Sequence, residues 1–241
     1  RLFSKNRQRF SKRLKPNSIA VLNSNDFMPT SADGTHPFIQ QTDLFYLSGI
    51  DQEETVLVIY PDAPEKKHKE ILFIKETNEQ IATWDGHKFT KPEAREISGI
   101  QSVHWTNELN TILRPLIIES EHIYLNTNEH LRAQDGVETR DMRFLDWCRQ
   151  TFPLHHYERA APIMNHLRAV KSPAEIELMR KAGRIGVEAL TEMMKSTRPG
   201  MYEYEVAAIY EYMCKKEGIK DQAYIPIISS EENHPYLHYH K

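Results

Sequence analysis

Short apolar runs punctuate the first two-thirds of the chain. Ser18–Asn23 (SIAVLN), Thr55–Tyr60 (TVLVIY) and Glu70–Ile74 (EILFI) are near-continuous, the pattern of strands covered on both faces. Gln101–Trp105 and His122–Asn126 read as further short strands. Asp43–Ile50 (DLFYLSGI) and Ile81–Trp84 are aromatic and strand-like, the second closed by an Asp85-Gly86 turn. Helical patterns alternate with these runs at Leu2–Leu14, Pro92–Ile97, Glu108–Ser120 and Asp141–Thr151. His155-His156, just after Pro153, reads as loop. Asn25–Pro37 is a polar loop long enough to be a functional or partner-facing segment. Strands and helices alternating in this way predict an α/β fold, a mixed or largely parallel sheet flanked by helices.

The pattern changes at Leu167–Lys171, which reads as a junction between a first domain, residues 1–166, and a second, residues 167–241. Ser172 is a good N-cap, Pro173 suits the first helical position, and Glu175 can bond back to the cap. Ile176, Met179, Gly183, Val187, Leu190 and Met194 then recur at helical spacing, giving one long helix that ends near Arg198-Pro199-Gly200. A second helix runs from about Tyr202 to Lys216, and Gly218 stops it. Tyr224–Ser230 (YIPIISS) reads as a strand at an edge or with a bulge, because Pro226 cannot donate to a ladder.

Charge narrows the choice of partners. The chain of 241 residues carries 31 basic and 34 acidic residues, a net charge of -3, which argues against nucleic acid. The basic run at the start (Arg1, Lys5, Arg7, Arg9, Lys12, Arg13, Lys15) reads as the solvated face of an amphipathic helix. No stretch approaches the ~20 apolar residues of a membrane span. Cys148 and Cys214, one in each half, suggest neither a disulfide framework nor a zinc knuckle, and fit a reducing cytoplasm.

Candidate chemistry gathers at the end, in ENHPYLHYHK. His234 and His238 have i, i+4 spacing, but Pro235 between them disfavours the helix that would align them. His238 and His240 would share a face in a strand. This lacks the fixed geometry of a zinc site and reads as a polar strand end. Cys148 has no acidifying neighbour. Ser229-Ser230 lacks a nucleophile-elbow context, and no glycine-rich phosphate loop is present.

Several of these strings resemble one family, the Xaa-Pro aminopeptidases and prolidases, metallopeptidases with a "pita-bread" catalytic domain. PFIQQTDLFYLSGIDQEETVLVIYP resembles the family's aromatic FRQ…dFyYLtG signature, with Ile39 in place of its arginine. TWDGHK, Thr83 to Lys88, resembles its W-x-G element. LRAVKSPAEIELMRKA, RPGMYEYEV and AYIPIISSEENHPYLHYHK follow in family order, with Glu231 or Glu232 standing for the glycine of an SG-x-N turn. The resemblance implies a creatinase-like N-terminal domain, followed by the first helices and strand of an α+β pita-bread domain.

It also implies a function. The activity would be removal of the N-terminal residue from peptides with proline second, by water activated at two divalent metal ions, manganese by preference. His238, of the Leu237-His238-Tyr239 triplet, would be the catalytic and substrate-binding residue, since imidazole exchanges protons near neutrality. The family's metal ligands follow that triplet, so no metal ligand is expected within these residues and the 241-residue chain alone is expected to be inactive. A homodimer or homotetramer is implied, with no nucleic-acid or membrane partner. Three alternatives remain: a dipeptide-only prolidase, a metal-free pita-bread module that binds peptides or proteins, and a creatinase-type amidinohydrolase.

Overall fold

A computed structural model describes residues 2–133, 136–224 and 226–239. The chain divides into two compact units, Arg1–Val170 and Lys171–Lys241.

The first unit contains α1 (Leu2–Ser11), β1 (Ser18–Asn23), α2 (Thr42–Ser48), β2 (Val56–Ile59), β3 (Glu70–Ile74), α3 (Glu79–Asp85) and α4 (Lys91–Ser98). It continues with β4 (Ser102–Trp105), α5 (Leu109–Glu119), β5 (His122–Leu125), α6 (Arg140–Thr151), β6 (His156–Arg159) and α7 (Ala161–Ala169). The six strands form one sheet in the order β4-β3-β2-β1-β5-β6. β2 pairs antiparallel with β1 and β3, and the other pairs are parallel, so the sheet is mixed as expected.

Alternation along the central strands builds two cores. Ala20, Leu22, Leu57, Ile59, Leu72 and Ile74 face α1, α2, α4 and α7, against Phe10, Leu44, Leu47, Ala94 and Met164. Ile19, Val21, Val56, Val58, Ile71 and Phe73 face α5 and α6, against Leu113, Ile117 and Cys148. Burial on both faces explains why these strands read as unbroken apolar runs. At ~1.5–3 kcal/mol for each large side chain removed from water, the two cores dominate the unit's stability.

Several expectations are corrected. Asp43–Ile50 is not a strand but α2 with its glycine stop. The Gln41 side chain accepts from the Asp43 and Leu44 N–H groups, and Gly49 closes the helix at φ 74°. Ile81–Trp84 is likewise helical, in α3, where Asn78 caps the Ile81 N–H. His156 opens β6, whose parallel pairing with β5 sets it opposite His122, so His155-His156 is not simply a loop. The basic run of α1 is not wholly solvated. Arg7 is fully buried, donates to the Leu47 carbonyl at 2.8 Å and pairs with Glu70 at 3.0 Å. Burial pulls its pKa down, and Glu70 partly offsets that.

The second unit holds α8 (Pro173–Ser196) and α9 (Glu203–Lys216), which pack against each other. The predicted capping box is present. Ser172 accepts from the Glu175 N–H at 3.4 Å, and Glu175 accepts from the Ser172 N–H at 2.8 Å. The buried residues of α8 are Ile185 and Ala189, whereas Met179, Val187 and Met194 of the expected apolar stripe are exposed.

The described part of 224–230 forms no strand. Pro226 has no N–H to give, and the Ser230 N–H goes to the Glu203 carboxylate instead of a ladder. The predicted polar strand end after it is a run of turns, beginning with a 3-10 turn at Glu231–Asn233. His240 lies outside the described residues, as do Arg1 and Ile225.

Candidate functional site

The site is built on the first turn of α9. Tyr202 precedes the helix, and its N–H donates to Glu205 at 2.7 Å, which fixes the helix start. Glu203 follows and turns its carboxylate toward the segment 230–239. Oε1 accepts from the Ser230 N–H and, at 3.0 Å, from the Ser230 hydroxyl. Asn233 Nδ2 donates to Oε1 at 3.2 Å and Oε2 at 3.3 Å, and to the Tyr239 hydroxyl oxygen at 3.0 Å. The Tyr239 hydroxyl thus joins the cluster through Asn233.

Electrostatics fit this pattern. Desolvation pushes the Glu203 pKa up, but the bonds from Tyr239, Ser230 and Asn233 outweigh it and hold the carboxyl below its ordinary range. The same carboxylate, through its hydrogen bond, pushes the Tyr239 hydroxyl pKa up. One ionised acceptor therefore faces several neutral donors, an arrangement in which charge-assisted bonds are strongest.

His238 lies in the turn next to Tyr239, and its side chain is exposed. An exposed imidazole on an anchored turn can accept or give a proton, or hydrogen-bond a substrate. The structure does not bring His234 into the Glu203 cluster; its N–H closes the turn onto the Glu231 carbonyl at 3.2 Å. Glu231 has φ 45°, the left-handed conformation that a glycine takes without cost, so it occupies the glycine-like position of the turn. Sequence reasoning singled out His238 but missed the Glu203, Asn233 and Tyr239 cluster. The only hint was a run of hydrogen-bonding residues flanking the triplet, and nothing in their spacing named Glu203 as the acceptor.

Other candidates are placed plainly. Burial pushes the Cys148 thiol pKa up to about 12, so it is no nucleophile. Ile39 is 73% exposed, so the position where the family carries arginine presents an apolar side chain to water. Trp84, of the TWDGHK string, is 83% exposed at the end of α3. In the long loop after β1, Pro29 and Thr35 form an isolated antiparallel bridge. An apolar cavity of about 430 Å³ is lined by α8, α9 and, after them, Ile219, Tyr224, Pro226 and Ile228 among others, and His238 does not line it. Among the described residues, no three His, Cys, Asp or Glu side chains are grouped so as to hold a metal ion. These described residues therefore do not fit a metal pair. Among the described residues, no helix is long and apolar enough to cross a membrane.

Comparison with known proteins adds the wider context. The family "Aminopeptidase P, N-terminal domain" matches residues 3–124, and "Metallopeptidase family M24" matches residues 177–241. The Xaa-Pro aminopeptidase of Escherichia coli (strain K12) is 28% identical over 239 residues, which cover 98% of this chain and 54% of that protein. The Xaa-Pro dipeptidase of Pongo abelii is 27% identical over 248 residues, covering 99% of this chain and 48% of that one. Among solved structures, zinc-substituted E. coli aminopeptidase P in complex with product superposes with a TM-score of 0.83 at 25% identity, over 99% of this chain and 54% of that one. The chain thus spans about half the length of the relatives it matches. With the N-terminal family profile covering half of its residues and the metallopeptidase profile following in order, the chain belongs to the aminopeptidase P family.

Proposed function

We propose that the complete protein is a metal-dependent Xaa-Pro aminopeptidase, with His238 as its proton-handling and substrate-binding residue. The observation that carries this reading is an exposed imidazole held on an anchored turn, inside residues 177–241, which match the M24 metallopeptidases. The bond before proline is a tertiary amide with no N–H. An enzyme cutting it has no N–H there to accept from, and must recognise the neighbouring carbonyl and the leaving nitrogen. An imidazole beside the scissile bond suits both tasks, donating to the carbonyl oxygen or delivering a proton to the proline nitrogen as it leaves. When bound, divalent metal supplies the activated water. Manganese is the ion we propose, together with a homodimeric or homotetrameric assembly and a reducing cytoplasm, where Cys148 and Cys214 stay free.

His238→Ala in the complete protein tests the assignment. Activity on an Xaa-Pro-Yaa peptide should fall by on the order of 10²-fold, typical for loss of a proton-transfer group, with metal content unchanged. An undiminished rate removes His238 from the site. A second reading, a dipeptide-only prolidase, is favoured by the dipeptidase similarity, which nearly equals that to the aminopeptidase. Cleavage of Xaa-Pro but not of Xaa-Pro-Yaa would select it.

A further inference from the structure

We propose that Glu203 is a positioning residue for His238: its carboxylate clamps the turn segment 230–239 at Ser230 and Asn233, reaches Tyr239 through Asn233, and so fixes where the imidazole stands. The inference rests on the reading of His238 above and adds to it how that residue is held.

The segment cannot hold itself in place. Its backbone bonds are local: Asn233 N–H to the Ser230 carbonyl at 2.9 Å, Tyr236 N–H to the Asn233 carbonyl at 3.1 Å, and Tyr239 N–H to the Tyr236 carbonyl at 3.3 Å. Bonds spanning three residues set the shape of a turn but not its location. Location comes from the long-range bonds, and these converge on one carboxylate. Glu203 takes hold of the segment at Ser230 and Asn233, 27 and 30 residues away in sequence, and Asn233 carries the hold on to the Tyr239 hydroxyl at the segment's end. The donor count closes. Asn233 Nδ2 has two hydrogens and serves Glu203 and the Tyr239 oxygen. Tyr239 is bonded through its side chain directly beside His238. Releasing Glu203 would loosen the turn that carries the imidazole, and catalytic geometry tolerates little such freedom.

Only an ionised carboxylate accepts from all these donors. Glu203→Gln replaces one acceptor oxygen with an N–H group facing the Ser230 and Asn233 donors, without changing size. In the complete, metal-loaded protein it is expected to lower kcat by about 10-fold or more with little change in KM, the pattern of a misplaced catalytic group. The discriminating arm repeats the substitution in the His238→Ala background. If Glu203 acts through His238, the second loss is less than about 2-fold, because effects of residues acting as a unit do not add. Amide hydrogen exchange should also quicken across 230–239 while α9 stays protected. An equal loss in both backgrounds overturns the inference, as does an unchanged kcat. Should Glu203→Gln not fold, Tyr239→Phe, which removes a single hydroxyl, carries the same comparison with the same two readings. An unaltered rate in His238→Ala alone would remove the functional reading itself, and the inference with it.

Discussion

At the scale of single residues, Glu231 is where local chemistry and structure conflict. A side chain at φ 45° sets Cβ against the following carbonyl, at a cost of ~1–2 kcal/mol that glycine escapes. The turn persists because Glu203 and the local bonds around Asn233 hold it. Glu231→Gly should therefore raise the stability of the complete protein by about 1 kcal/mol, after allowing for glycine's greater freedom when unfolded. Thermal or denaturant unfolding measures this, and a loss of stability would show that the carboxylate contributes something the geometry does not reveal. The family resemblance flagged Glu231 or Glu232 as the odd position, and the backbone angle selects Glu231. Arg7 was not legible in the same way. Its neighbours Lys5 and Arg9 have the same charge, and only the fold decides that Arg7 alone lies under the Leu47 carbonyl beside Glu70.

At the scale of elements, the least legible were those whose signals are weakest. α2 is capped by a glutamine, a poor N-cap by type, and its aromatic run mimics a strand. α3 buries nothing among its residues, so no apolar stripe betrays its helical period. By contrast, the capping box of α8 is written in full at Ser172-Pro173-Ala174-Glu175 and forms as expected. α6 offers a test of how its first turn is held. Asp141 accepts from Asn23 Nδ2 at 2.8 Å, at the end of β1. Burial pushes the Asp141 pKa up to about 7; the Asn23 bonds pull it down, the charge of Asp43 pushes further, and Arg140 opposes. An unfolded aspartate titrates near 3.9. Between those two values the folded chain holds a proton that the unfolded chain has lost, so stability falls as pH rises through the window and levels off above about 7. Asp141→Asn keeps the acceptor without the charge. It should be close to neutral at pH 4 and stabilise by roughly 2–4 kcal/mol at pH 8, at ~1.4 kcal/mol per pKa unit. A stabilisation independent of pH would show that the carboxyl titrates normally.

At the scale of the whole molecule, the mixed sheet could be read from the sequence because its central strands are buried on both faces, which forces unbroken apolar runs at positions 18–23, 55–60 and 70–74. β6 (HYER) escaped because it carries polar residues on the sheet's edge, where the burial that betrays a strand is missing. The site was half legible. A motif such as Leu237-His238-Tyr239 is local, whereas the Glu203 clamp joins residues far apart in sequence and exists only in the fold. The most direct measurement follows release of the N-terminal amino acid from an Xaa-Pro-Yaa tripeptide by the complete protein, metal-loaded and again after chelation, with a polypeptide of residues 1–241 assayed beside it. The account predicts turnover by the loaded protein, loss on chelation, recovery with manganese, and none from residues 1–241 at any manganese concentration. A folded, metal-loaded protein that leaves the tripeptide intact, or cleavage by residues 1–241 above a manganese-only control, would contradict it.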